Sequence, residues 1–239
     1  VSDRPALALE LSQRTASIAV RRHDGTVIGR ELGAGRDAAE GVLAVADSLL
    51  RDLDMTPRAL RLIAVSVGPG GFTGVRIAVA AAQAIAEASG AAAIGVPSAA
   101  VAIESTLRDD DAKSALSILA VKRRDGITDG WVTRLDRDDG VWSTTDGGRL
   151  VVLERLDLTG IDVVVAESDQ IGASARIAAF GASGRLVEPR FDAVACMHLA
   201  DRALRGGATG AAQDLRAVYP RRPEAVELWA AREVQSENG

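Results

Sequence analysis

Residues 63–87 read Ile-Ala-Val-Ser-Val-Gly-Pro-Gly-Gly-Phe-Thr-Gly-Val-Arg-Ile-Ala-Val-Ala-Ala-Ala-Gln-Ala-Ile-Ala-Glu. An apolar run passes through a glycine-rich turn directly into an alanine-rich helical stretch, which restricts the chain to folds in which a buried strand feeds a helix. Gly68, Gly70, Gly71 and Gly74 permit positive φ and close backbone approach. Thr73 and its successors open a helix whose free N–H groups and dipole face the turn. A phosphate cradle and a merely tight connection are both consistent with that pattern. Neither standard nucleotide fingerprint applies. Gly74 is followed by Val75-Arg76 where a P-loop has Lys and Ser or Thr, and the last gap between glycines is too wide for the dinucleotide pattern.

With 47% apolar and 26% charged residues over 239 positions, the chain has enough to bury for one large or two small domains without covalent staples. Cys196 has no second cysteine to pair with, and the N-terminal residues lack a basic-then-apolar leader, so the expected compartment is the cytoplasm. No membrane span is expected, because Gln83, Glu87 and Ser89 interrupt the longest apolar run. A net charge of −5 and 3% aromatic residues argue against an autonomous nucleic-acid binder, although Lys122-Arg123-Arg124 and Arg221-Arg222 are local basic spots.

Periodicity predicts an opening antiparallel meander: strands at 6–12, 17–21 and 26–31, the last two joined at Asp24-Gly25. An amphipathic helix over 37–53 follows, carrying Val42, Val45, Ala46, Leu49 and Leu50, with Asp37 and Glu40 in its first turn. A doubly buried strand at 60–67 precedes the glycine turn, and the helix at 73–89 closes at Gly90. A strand at 92–96 and a helix at 98–106 complete the first half. The acidic run Arg108-Asp109-Asp110-Asp111 marks the expected boundary between residues 1–107 and 108–239. Beyond it, strands are expected at 116–121, 130–135, 141–144 and 161–167, and helices at 193–205 and 223–231.

With these elements placed, the sequence resembles the bacterial TsaB (YeaZ) family. The resemblance rests on Val67-Gly68-Pro69-Gly70-Gly71-Phe72-Thr73-Gly74-Val75-Arg76-Ile77, on Gly95-Val96-Pro97-Ser98, and on the tail Val218-Tyr219-Pro220-Arg221-Arg222-Pro223-Glu224-Ala225. It implies an α/β, actin-like or sugar-kinase-like (ASKHA) fold with two related lobes of mixed sheets flanked by helices. It also implies a non-catalytic subunit in the formation of threonylcarbamoyladenosine on tRNA. The implied partners are a paralogous, metal-bearing TsaD-like subunit and a TsaE-like ATPase, with tRNA reached only through the complex and a homodimer as the state of the chain alone.

Departures from the family pattern bear on chemistry. Glu10-Leu11-Ser12 stands where the family has Asp-Thr-Ser, which disturbs any inherited magnesium-phosphate geometry. Asp37-Ala38-Ala39-Glu40 lacks the family's histidine, and Ala120-Val121-Lys122-Arg123-Arg124 lacks its leading Asp. His23 and His198 have no metal-ligand spacing, and Cys196 with His198 reads as packing, so neither a metal site nor catalytic residues are expected.

The leading expectation is therefore a scaffold that needs no cofactor and docks its paralogue through the two first-half helices, with Val42, Val45, Leu49, Val75, Val79, Ala82 and Gln83 at the interface. Ala82 serves as the exposed small position. The competing expectation is an actin-like phosphotransferase, with Glu10 and Glu167 converging on a nucleotide. A third is a sensor that binds adenine nucleotide weakly at Glu10, Ser12, Gly68, Gly70, Gly71, Thr73 and Gly74 without turnover.

Overall fold

Two short apolar segments, Ala6–Glu10 (β1) and Leu62–Ser66 (β4), are buried on both faces and pair in parallel at the centre of the first sheet. This is a computed structural model, and it describes residues 4–32, 36–124, 126–171 and 174–221, with the side chains of 36–40 and 183 left aside. The expected helix at 223–231 and the end of the tail motif lie outside the described residues.

In chain order the elements are β1, Ala16–Arg21 (β2), Val27–Leu32 (β3), Arg36–Asp52 (α1), β4, Phe72–Ser89 (α2), Ala92–Val96 (β5) and Ser98–Thr106 (α3). The second half carries Ser114–Arg124 (β6), Ile127–Asp138 (β7), Val141–Thr144 (β8), Arg149–Val152 (β9), Val163–Ala166 (β10), Ser168–Ile171 (α4), Ala175–Ser183 (α5), Arg185–Val187 (β11) and Ala193–Arg205 (α6). The first sheet runs β3-β2-β1-β4-β5 and the second β8-β7-β6-β10-β11, with β9 also on β7. In each, an antiparallel meander of three strands continues into two parallel strands. The two halves thus share one topology, and the fold is the actin-like α/β arrangement of two mixed sheets flanked by helices.

Strand alternation sorts side chains by size. Leu7, Leu9, Ile63 and Val65 face α1 and α2, whereas Ala6, Ala8, Leu62 and Ala64 face the layer between the sheets. That inner face is mostly alanine, so α6 can approach closely through Ala193, Ala195, Cys196 and Ala200. Helix α6 lies late in the sequence yet packs on β1, β2, β4 and β5, while α3 packs on the second sheet and on α6. A buried ion pair pins this crossing: the Arg21 guanidinium on β2 meets the Asp201 carboxylate on α6 at 2.6 Å.

The acidic run has no regular structure, but it is anchored. Asp110 accepts from the Ala112 N–H at 2.9 Å and pairs with Arg185. Periodicity did not reveal β9, α4, α5 or β11, which are short or only partly buried.

Candidate functional site at the glycine loop

The loop after β4 crosses the carboxyl end of the first sheet, where open α/β sheets bind ligands. Gly68 has φ of 101° and joins Pro69 through a cis peptide bond. An ideal Cβ on Gly68 would stand 2.8 Å from the Val218 carbonyl oxygen. On Gly70 it would overlap the Ser12 carbonyl, and on Gly74 the Leu11 carbonyl. These three glycines admit the chain's own backbone. Gly71 also turns inward, donating its N–H to the Ser12 carbonyl at 2.8 Å.

The three motif segments converge here. The Val218 N–H donates to the Val67 carbonyl at 2.7 Å, which lays the tail motif across the loop. The Ser98 N–H donates to the Gly68 carbonyl at 2.9 Å, and the Ser98 and Ser66 hydroxyls lie 2.7 Å apart. Gly95 is required because a Cβ there would meet Val67 at 2.8 Å. Sequence spacing showed each motif but not their mutual packing.

Glu10 ends β1 with no solvent exposure. Its Oε1 accepts from the Ser12 N–H at 2.8 Å and the Ser12 hydroxyl at 2.5 Å, while Oε2 has no hydrogen-bond partner. Burial raises its pKa above the ordinary carboxylate value against the lowering effect of the Ser12 hydrogen bonds. Neighbouring Cys196 is likewise pushed well up, first by burial and then by Glu10 and Asp192. Burial also lowers His198.

Two clefts meet at Gln13, Arg14 and Glu167, and the first of them adjoins the loop. The first, of about 320 Å³, is lined by Gln13, Arg14, Gly70, Gly71, Ala120 and Glu167 among others. The second, of about 790 Å³, carries Glu31, Glu167, Asp169, Glu188 and Asp192 against Arg14 and Arg190. Glu167 lines both clefts, but Glu10 lines neither, so the expected convergence of the two carboxylates on one open site is not found. Ser12 is buried and Thr73 exposed. Among the described residues no three His, Cys, Asp or Glu side chains are grouped to hold a metal. No helix among them is long and apolar enough to cross a membrane.

The expected interface residues are largely interior. Val42, Leu49, Val75, Val79 and Ala82 are core side chains, and Ala82 is fully buried, which corrects its reading as an exposed position. The reason is geometric: Val75, Ala78, Val79, Ala82 and Ala86 form the stripe of α2 that faces β4. Val45 is half-buried against the same core, and Gln83 donates to the Ala212 carbonyl at 3.2 Å. The outward positions are instead Arg76, Ala80 and Ala84 on α2 and Leu43, 57% exposed, on α1.

Comparisons with known proteins agree with this architecture. A family model described as "TsaD: tRNA N6-adenosine threonylcarbamoyltransferase" matches residues 22–121. The tRNA threonylcarbamoyladenosine biosynthesis protein TsaB of Bacillus subtilis (strain 168) is 36% identical over 80 residues, which are 34% of this chain. The match spans 35% of that relative's length. Among solved structures, a Pseudomonas aeruginosa protein described as similar to peptidase YEAZ superposes with a TM-score of 0.75 at 22% identity, covering 91% of this chain and 100% of that one. YeaZ from Pseudomonas aeruginosa gives 0.73 at 21% identity, covering 90% and 99%. The structures carry the fold, and each sequence match covers less than half of the chain: it has the fold of the YeaZ structures and is similar in sequence to a TsaB protein over about a third of its length.

Proposed function

We propose that this protein is a non-catalytic subunit in tRNA threonylcarbamoyladenosine biosynthesis, docking a paralogous, metal-bearing TsaD-like subunit through the outward faces of α1 and α2. The observation that carries the reading is the self-occupied glycine loop. The space left by its glycines is filled by the Leu11, Ser12 and Val218 carbonyls, and Glu10 is sealed beneath it. Phosphoryl transfer needs a metal-binding carboxylate and a base open to substrate. Here the first-lobe carboxylate Glu10 is fully buried and lines neither cleft, so no open carboxylate pair faces the loop.

Support for docking is the surface itself. Arg76, Ala80 and Ala84 recur every four residues on one face, and small side chains at Ala80 and Ala84 let a partner helix approach closely beside exposed Leu43. The names of the related proteins supply the pathway, and the family resemblance adds a TsaE-like ATPase and tRNA as the further members of the proposed complex. The test is co-purification of the full chain with a TsaD-like paralogue, followed by tRNA threonylcarbamoylation by the mixture. Absence of both binding and stimulation overturns the proposal. Magnesium-dependent ATP turnover by the chain alone would instead favour the phosphotransferase reading.

Weak adenine-nucleotide binding is the second reading, favoured by the cleft beside Gly70, Gly71 and Arg14. Calorimetry with ATP on the isolated chain tests it, and a flat trace at millimolar ligand ends it.

A further inference from the structure

Two of the chain's few aromatic rings are left open to solvent and packed on one another. Phe72 is 55% exposed and Tyr219 44% exposed, with ring centroids 5.3 Å apart at a 41° tilt. The Arg76 guanidinium lies 4.9 Å from the Phe72 centroid. Burial accounts for only part of this placement, since both rings retain large solvated surfaces.

The ring pair continues into a basic hairpin tip. Arg221, two residues beyond Tyr219 and hence within about 7 Å of it along the chain, donates to the Ala120 carbonyl at 2.6 Å and pairs with Asp129. Asp129 faces Lys122 in the β6-β7 register, and Lys122 and Arg123 are exposed. Among the described residues, Arg76, Lys122 and Arg123 form no ion pair with a carboxylate. On a chain of net charge −5, Lys122 and Arg123 are a local excess of cations on the hairpin that Arg221 ties to the ring-bearing tail.

We propose that Phe72 and Tyr219, together with Lys122 and Arg123, form a contact surface for unpaired RNA nucleotides. Rings of this kind stack on bases of any sequence, and the flanking cations track the phosphates. Whole-chain charge does not oppose this, because the interaction is local and short-ranged at physiological salt. The proposal rests on the subunit role above and deepens it: the chain itself contributes RNA contacts to the complex.

The test titrates the full chain into a fluorescently labelled RNA hairpin with an unpaired loop, and into a blunt RNA duplex, by anisotropy at low and physiological salt. The hairpin is expected to bind more tightly than the duplex, with affinity falling as salt rises. Phe72→Leu keeps apolar bulk but removes the ring, and should weaken hairpin binding about tenfold at unchanged melting temperature. Lys122→Glu with Arg123→Glu should flatten the salt dependence. No hairpin binding, equal binding of the duplex, or unchanged affinity in these variants overturns the proposal. So does a Phe72→Leu chain that loses its paralogous partner but keeps its RNA affinity, since the rings would then be a protein contact. RNA binding is read on the chain alone and the subunit role by co-purification, so either can fail without the other.

Discussion

The Ser12 carbonyl occupies the space that a side chain on Gly70 would need. The same oxygen accepts the Gly71 N–H at 2.8 Å, so the turn after β1 and the loop after β4 are a single packed unit. Gly70→Ala forces a carbon onto that carbonyl and should destabilise the fold by at least about 1–3 kcal/mol, the usual range for overpacking. For a chain of this size that lowers Tm by about 2–4 °C per kcal/mol. Gly147→Ala is the control, because nothing lies within 4 Å of its added Cβ. Thermal denaturation of both variants reads the difference, and equal melting temperatures would remove the packing explanation.

Glu10 makes stability depend on pH in a definite direction. Burial raises its folded-state pKa above its unfolded value, near the ordinary 4.5. Between those two values the folded state holds more protons than the unfolded state, so this group's contribution falls as pH rises through that window. Glu10→Gln keeps an oxygen for the Ser12 donors and removes the charge. The variant should match or exceed the parent's stability at neutral pH and lose its advantage near pH 4. Urea titrations across that range check the sign, and a variant less stable at neutral than at acid pH, relative to the parent, contradicts it.

Asp201 on α6 holds Arg21 on β2 inside the layer between the sheets, where Arg21 also donates to the Arg4 carbonyl at 2.8 and 2.9 Å. Asp201→Asn leaves a buried guanidinium without its counter-charge and should cost about 3–5 kcal/mol. Urea denaturation measures it. A loss below about 1 kcal/mol would mean that the Arg4 carbonyl and other partners suffice.

Docking through the outward face of α2 separates two alanines only two residues apart. Ala84→Arg should abolish capture of the paralogous subunit at unchanged Tm, because Ala84 is exposed. Ala82→Arg should lower Tm sharply whatever its effect on binding, because Ala82 is fully buried. Pull-down paired with thermal melts distinguishes them, and intact binding by Ala84→Arg moves the interface elsewhere.

Cys196 is buried and its thiol is held well above its ordinary pKa. It should stay unreactive toward a thiol-specific chromogenic reagent in the native protein and react fully in denaturant. Prompt native reaction would show that α6 opens from the first sheet.

Much of the secondary structure was legible because one periodicity dominated each segment. The strand at 92–96 and the helices at 98–106 and 193–205 fall where their apolar patterns place them. Short second-half elements such as β9 and β11 carry only three or four residues, too few for a period to declare itself. Ala82 was read as outward for a related reason. A helix as rich in Ala and Val as α2 has no polar face to mark its exterior, so Ala82 and Ala84 look alike until β4 is packed beneath one of them.

The local order of strand, glycine turn and helix follows from residue types alone, since backbone freedom and hydrophobic period act over a few neighbouring positions. The chain's own residues also carried the motifs on which the TsaB/YeaZ resemblance rests. What those glycines accommodate was decided in three dimensions, when Leu11, Ser12 and Val218 arrived from distant parts of the chain to fill the space. The burial of Glu10 was decided there too, because desolvation depends on every element packed around a carboxylate and not on the residues beside it in sequence.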